Sequence, residues 1–286
     1  MKTFLTLAFS LVTASALLAA DAKPLKVLLI TGGCCHDYAK QKDILKKGIE
    51  ERANAVVDII YSSEGEKNAD GKQNMEKPML PIYGNPEYAK GYDVVIHDEC
   101  AAKIIDPVII AGVLKPHLDD GIPAVNLHCA MHCYRFGNYG KPVAAGADNG
   151  RWFEYLGLHS TGHGPQKPIA ITFQDPTHPI TKGMADWTTI NEELYNNIHV
   201  YEGTKALARG KQDAGDKPGQ NDSVVVWTNE AGPKKTRVFS TSLGHNNATV
   251  EDPRYLDLVT RGLLWATGKL GADGKVQAGY EAKAAK

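Results

Sequence analysis

Two apolar runs bracket a helical pattern near the start of the chain, and this arrangement restricts the possible folds more than any other feature. Residues 25–31 (LKVLLIT) are almost unbroken apolar sequence, as a strand buried on both faces requires. Gly32 and Gly33 follow as a turn. Residues 40–54 place Ile44, Leu45, Ile49 and Ala53 at helical spacing, and residues 55–61 (AVVDIIY) read as a second strand. Strand, helix and strand in this order imply a right-handed crossover and a parallel sheet. In such sheets the segments after successive strands converge on one edge, and ligands bind there.

The rest of the chain extends an α/β pattern. Residues 62–87 form a polar insertion punctuated by Gly and Pro, residues 92–97 read as a strand and residues 106–118 as a helix. A short strand over residues 124–127 runs into His128-Cys129-Ala130-Met131-His132-Cys133, two imidazoles and two thiols within six residues. Loop-like sequence follows Phe136. Additional β segments are expected at residues 169–173, 206–208, 223–228 and 237–242, and an amphipathic helix closes the pattern over residues 253–267. Residues 271–286, rich in Ala, Gly and Lys and without periodicity, are expected to be a disordered tail.

Residues 1–22 have the makings of a signal peptide: Lys2, an apolar stretch to Leu18 and a small-x-small site at Ala20-Asp21-Ala22. The mature chain is then periplasmic or secreted, with no membrane association after cleavage. The balance of 32 basic against 33 acidic residues gives no footprint for nucleic acid. Five cysteines, at 34, 35, 100, 129 and 133, leave at least one thiol unpaired, and neighbours such as Cys34 and Cys35 are not expected to bridge each other.

Several histidines sit where strands end. His36 follows the first strand, His128 closes the central one, and His245 follows Thr241-Ser242-Leu243-Gly244; all three can meet at the sheet edge. One reading is a metal site, most simply zinc, with three protein ligands and a carboxylate from Glu192, Glu193 or Asp37. A second is a thiol nucleophile at Cys129 with His245 as its base. A third is that these side chains are hydrogen-bonded core residues. His178 lies in Asp175-Pro176-Thr177-His178-Pro179, a turn and helix-start device. Glu193 and Tyr195 can form a pocket wall, whereas Trp152, Phe153, Tyr155, Trp187 and Trp227 can either stack on a sugar or fill the core.

Taken together, the blocks LLITGGCCHDY (28–38), GIPAVNLHCAMH (121–132), HGPQ with DPTHPITKGM (163–184), EELY (192–195), RVFSTSLGHN (237–246) and YLDLVTRGLLWATG (255–268) resemble the trehalose-utilisation (ThuA-like) family. The resemblance covers a domain over residues 23–270. It implies a class I glutamine amidotransferase-like fold, a flavodoxin-like three-layer sandwich with a mostly parallel sheet and extra β segments in the second half. It implies a small-molecule carbohydrate as ligand, a trehalose-type disaccharide or a 3-keto sugar. It carries His36, His128, His163, His178, Glu193, Tyr195 and His245 to the pocket.

The chain departs from the amidotransferases of that fold. Cys129 falls at the elbow, but His128 and Ala130-Met131 replace its small neighbours, and Asn247 stands where an acid would orient His245. Glutaminase activity is therefore not expected. The leading expectation is an exported sugar-processing enzyme with His36, His128 and His245 around a metal and with Glu193, Tyr195, His245 and His163 as catalytic groups. A non-catalytic carbohydrate-binding protein is the alternative, and a Cys129-dependent hydrolase a further one. His132 and Cys133 are assigned to packing.

Overall fold

The computed structural model describes residues 22–213, 215 and 221–283. The expected signal peptide, residues 1–22, lies outside the described residues apart from Ala22. In chain order the elements are β1 (Leu25–Gly33), α1 (Tyr38–Glu50), β2 (Ala55–Ser62), β3 (Gly65–Lys67), β4 (Gln73–Pro78), β5 (Val94–Cys100), α2 (Pro107–Leu118) and β6 (Ala124–Leu127). A turn of 3-10 helix (His128–His132) leads to α3 (Arg151–Leu156), β7 (Leu158–Phe173), β8 (Trp187–Val200), β9 (Lys205–Lys211), β10 (Asp222–Ala231), β11 (Thr236–Thr241), α4 (Asn247–Val250) and α5 (Pro253–Ala266).

Nine strands form one sheet in the order β2-β1-β5-β6-β11-β10-β9-β7-β8. Pairing is parallel from β2 to β11 and antiparallel from β11 to β8. The alternation of side chains along β1 shows how the layers arise. Val27 and Leu29 join one core with Leu45 and Ile49 of α1 and with Leu258 and Leu263 of α5. Leu28 and Ile30 face the opposite way, toward Ile110 and Val113 of α2 and Trp152 and Tyr155 of α3. Each such buried aliphatic side chain contributes about 1.5–3 kcal/mol. The result is an α/β/α sandwich whose parallel strands all end on one edge.

Two helices start with the same device. The Asp106 carboxylate accepts from Val108 N at 2.8 Å with Pro107 in the first turn, and Asp252 accepts from Arg254 N at 2.9 Å with Pro253 in the first turn. Each cap is worth about 1 kcal/mol.

Several expectations from sequence need correction. The strand expected at residues 169–173 begins at Leu158, because its N-terminal part is bulged and its Gly162, Gly164 and Pro165 imitate a loop. Its partner β8 is a full strand rather than a local wall. The polar insertion contains the β3–β4 hairpin. The tail expected to be disordered is docked through Glu281: Leu270 is buried, Val276 and Tyr280 pack on the core, and Tyr280 O accepts from Asn54 N at 3.0 Å. Isolated bridges of this kind carry no periodicity for sequence to reveal. Among the described residues, no helix is long and apolar enough to cross a membrane.

Candidate functional site

The site begins with the way β1 ends. Gly32 and Gly33 have φ of +131° and +101°, and a Cβ on either would stand 2.3 Å from a carbonyl oxygen, that of Ser62 or that of Cys100. Only glycine lets the chain leave between β2 and β5 and carry Cys34, Cys35 and His36 over the sheet edge. At the end of β6, His128 takes φ +40°, a left-handed conformation that costs a non-glycine residue about 1–3 kcal/mol. The segment after β11 brings His245 to the same place.

The three imidazoles converge. Ring centroids of His36 lie 4.6 Å from His128 and 4.7 Å from His245, and donor atoms of all three fall within 4.8 Å of one another. Each ring is held from behind by its other nitrogen. His128 Nδ1–H donates to Ser242 O at 2.7 Å, His36 Nε2 meets Cys129 Sγ at 2.9 Å, and His245 Nε2 meets the Gln166 amide at 2.8 Å. The nitrogens left over, His36 Nδ1, His128 Nε2 and His245 Nδ1, are buried without a hydrogen-bond partner. At His36 and His128 the outer partner takes the ring's proton and frees the inward nitrogen, as in metal-ligating imidazoles; at His245 the Gln166 N–H donates to Nε2, so a neutral ring carries its proton on the inward Nδ1 and must give it up to bind a metal.

Glu193 of β8 closes the cluster. Its Oε2 lies 3.5 Å from His128 Nε2 and 3.2 Å from His245 Nδ1, and its Oε1 accepts from Gln166 Nε2 at 3.2 Å. Burial pushes this carboxyl upward, but the His128 and His245 rings beside it outweigh that and hold Glu193 below the usual carboxylate range. The Glu193 carboxylate in turn raises His245 above its ordinary value. His36 goes the other way: burial, reinforced by the neighbouring His128 and His245, lowers it to about 2 and keeps the ring neutral.

The remaining expected residues divide. Tyr195 is buried, stacked on His132 at 4.2 Å and tilted against His128 at 4.7 Å, and burial raises its phenol well above 10. His163 is a half-exposed rim residue, 3.6 Å from Glu193 Oε1. His132 packs and bonds Ser160 Oγ at 2.9 Å. His178, which the family resemblance carried to the pocket, sits instead in its turn beside Trp265, 5.6 Å between centroids. Glu192 is no ligand: its carboxylate accepts the backbone N–H groups of His245 and Asn246 at 3.1 and 3.0 Å. Asp37 accepts from Asn247 Nδ2 at 2.9 Å. Trp152, Phe153, Tyr155, Trp187 and Trp227 are all buried and offer no sugar platform. Sequence reasoning missed Gln166, whose only signal was its place in the HGPQ block.

Cys129 is not set up as a nucleophile. The neighbouring Cys100 thiol and burial raise the Cys129 thiol well above 9, while Cys129 in turn holds Cys100 below its ordinary value. With His36 Nε2–H donating to Cys129 Sγ, His36 Nδ1 is left bare. Cys34 and Cys35 are bridged to each other, contrary to the expectation for neighbours, whereas Cys100, Cys129 and Cys133 are free and buried. The cluster opens into a cavity of about 470 Å³ lined by His36, Cys129, Gln166, Glu193 and His245, and an adjoining one of about 600 Å³ shares Cys35, His36 and His245.

The family model described as ThuA, trehalose utilisation, matches residues 26–266. Among solved structures, the chain is similar to a ThuA-like protein from Parabacteroides merdae, at 20% identity and a TM-score of 0.62 over 91% of this chain and 98% of that one. It is also similar to a glutamine amidotransferase from Thermotoga maritima, at 11% identity and a TM-score of 0.45 over 85% of this chain and 98% of that one. No curated protein matches the chain.

Proposed function

This chain belongs to the ThuA, trehalose-utilisation family, and we propose that it is an exported enzyme that processes a keto-sugar or disaccharide at a three-histidine metal centre. The family supports the carbohydrate-related role. The observation that carries the centre is the convergence of three buried imidazole nitrogens without partners, each on a ring anchored from behind. The donor set suits zinc, whose bonds to imidazole are about 2.0–2.1 Å long. His36, His128 and His245 would hold it, and a bound divalent ion would supply polarisation of a sugar carbonyl or hydroxyl oxygen.

The surrounding residues fit proton transfer on such a substrate. Glu193, ionised between His128 and His245, is the base positioned to take an acidified α-proton. His163 stands at the rim beside the same carboxylate, within reach of a bound sugar hydroxyl. Tyr195 keeps its proton and supports the His128 and His132 rings. Gln166 ties the Glu193 carboxylate to the His245 imidazole, so the base and the third ligand move together.

The test is metal analysis of the purified protein together with a turnover screen on 3-keto-glycosides, for the wild type and His128→Ala. A stoichiometric divalent ion and turnover in the wild type, both lost in His128→Ala, are expected. Sugar binding in both proteins with neither metal nor turnover in either would make the chain a binding protein instead.

A further inference from the structure

Beyond the histidine centre, a second reactive group occupies the rim of the same cavity. Cys34 and Cys35 are bridged, and the free thiol of Cys100 lies 3.4 Å from Cys34 Sγ. All three sulfurs fall within 4.8 Å of one another. The closeness is built into the sheet, because the β1–β5 register pairs Gly33 with Cys100 and so sets Cys34 beside the end of β5. Cys100 is buried, Cys34 half-buried and Cys35 exposed. Cys35 also borders both cavities. Nothing in the proposed sugar chemistry uses these sulfurs.

We propose that Cys34, Cys35 and Cys100 form a thiol–disulfide exchange site for small thiols and disulfides, with Cys34 as the shared sulfur, Cys100 as the internal partner and Cys35 as the exposed one. In the internal step the Cys100 thiolate attacks Cys34 Sγ. The Cys34–Cys35 bond breaks, a Cys34–Cys100 bond forms, and the electron pair leaves on Cys35, which takes a proton from solvent. No electrons are gained or lost. Cys129, packed beside Cys100, holds the Cys100 thiol below its ordinary value and so favours its thiolate. Exchange through a nearby third thiol is rapid where the attacking and central sulfurs are already close. The outcome moves the free thiol from a buried position to the pocket rim, where a small thiol or disulfide reaches it.

Peptide mapping under non-reducing conditions tests this without metal or sugar, so its failure is distinct from failure of the sugar reading. In a glutathione redox buffer the wild type is expected to yield both Cys34–Cys35 and Cys34–Cys100 peptides after alkylation. Recovery of Cys34–Cys35 alone across the buffer range overturns the proposal. The variant Cys35→Ser, exposed to oxidised glutathione, isolates the internal step. There Cys34 attacks glutathione disulfide, releasing one glutathione, and Cys100 displaces the second, so the two protein thiols are oxidised and the disulfide is reduced. A Cys34–Cys100 bridge is expected, with glutathione retention on the order of tenfold below that of Cys35→Ser/Cys100→Ser. A stable glutathione adduct on Cys34 of folded Cys35→Ser would refute it.

Discussion

His36 Nε2 lies 2.9 Å from Cys129 Sγ, so the thiol at the strand-end elbow is engaged by an imidazole at the border of the cavity. Cys129 then acts as an outer partner that turns His36 Nδ1 inward. Removing such a partner costs about 10–100-fold in metal affinity. Cys129→Ala is expected to lose that much in a chelator competition, and Cys129→Ser less, because its hydroxyl still bonds the ring. Turnover at saturating metal should persist in both. Its complete loss in folded, metal-loaded Cys129→Ser would restore Cys129 as a nucleophile.

Glu193 holds His245 above its ordinary value. Glu193→Gln keeps the shape and removes the charge, so His245 in metal-stripped protein should titrate at lower pH, as followed by NMR of its ring. Loss of a general base costs about 10²–10⁴ in rate, and kcat should fall in that range with little change in KM. A variant of near wild-type rate would remove Glu193 from the reaction.

Glu192 is expected to matter for folding. It is completely buried and satisfies two backbone donors, His245 N and Asn246 N. Stripping a buried donor of its partner costs about 1–3 kcal/mol. Glu192→Ala should therefore unfold at clearly lower urea, and Glu192→Gln, which keeps one acceptor oxygen, should lie between it and the wild type. An unchanged midpoint in both would show that water replaces the carboxylate.

These adjacent carboxylates show where sequence reading stops. The strand-end positions of His36, His128 and His245 follow from apolar runs and turn residues, and those three do meet. The roles of Glu192 and Glu193 do not follow, because residues next to each other on a strand point to opposite faces. Which face holds the pocket depends on a β7–β8 hairpin whose bulges shift the register. His178 was misplaced for a related reason. Its turn motif is clear locally, but its position opposite Trp265 is set by where α5 docks.

Acid should weaken the fold through buried imidazoles. Burial, with the neighbouring His97, lowers His117 to about 3 from an ordinary 6.5. Between these values the unfolded chain binds a proton that the native chain refuses. Stability is therefore lost as pH falls through 6.5 toward about 3. His36 adds to the same trend. His117→Gln should show a shallower fall in unfolding free energy between pH 7 and pH 5, measured by urea titration. An equal slope in both proteins would place the acid sensitivity elsewhere.

The Asn54 side chain donates to Ala22 O at 2.9 Å and to Gly279 O at 2.8 Å. One amide thus clasps the first described residue and the docked tail together, beside the start of β2 and at the end of the sheet remote from the histidines. A circular permutant that joins residue 279 to residue 22 through a short linker, and opens the chain at the β3–β4 hairpin, would keep every strand pairing of the large sheet. Such a molecule offers new ends for tethering the protein to a support while the cavity still faces solvent.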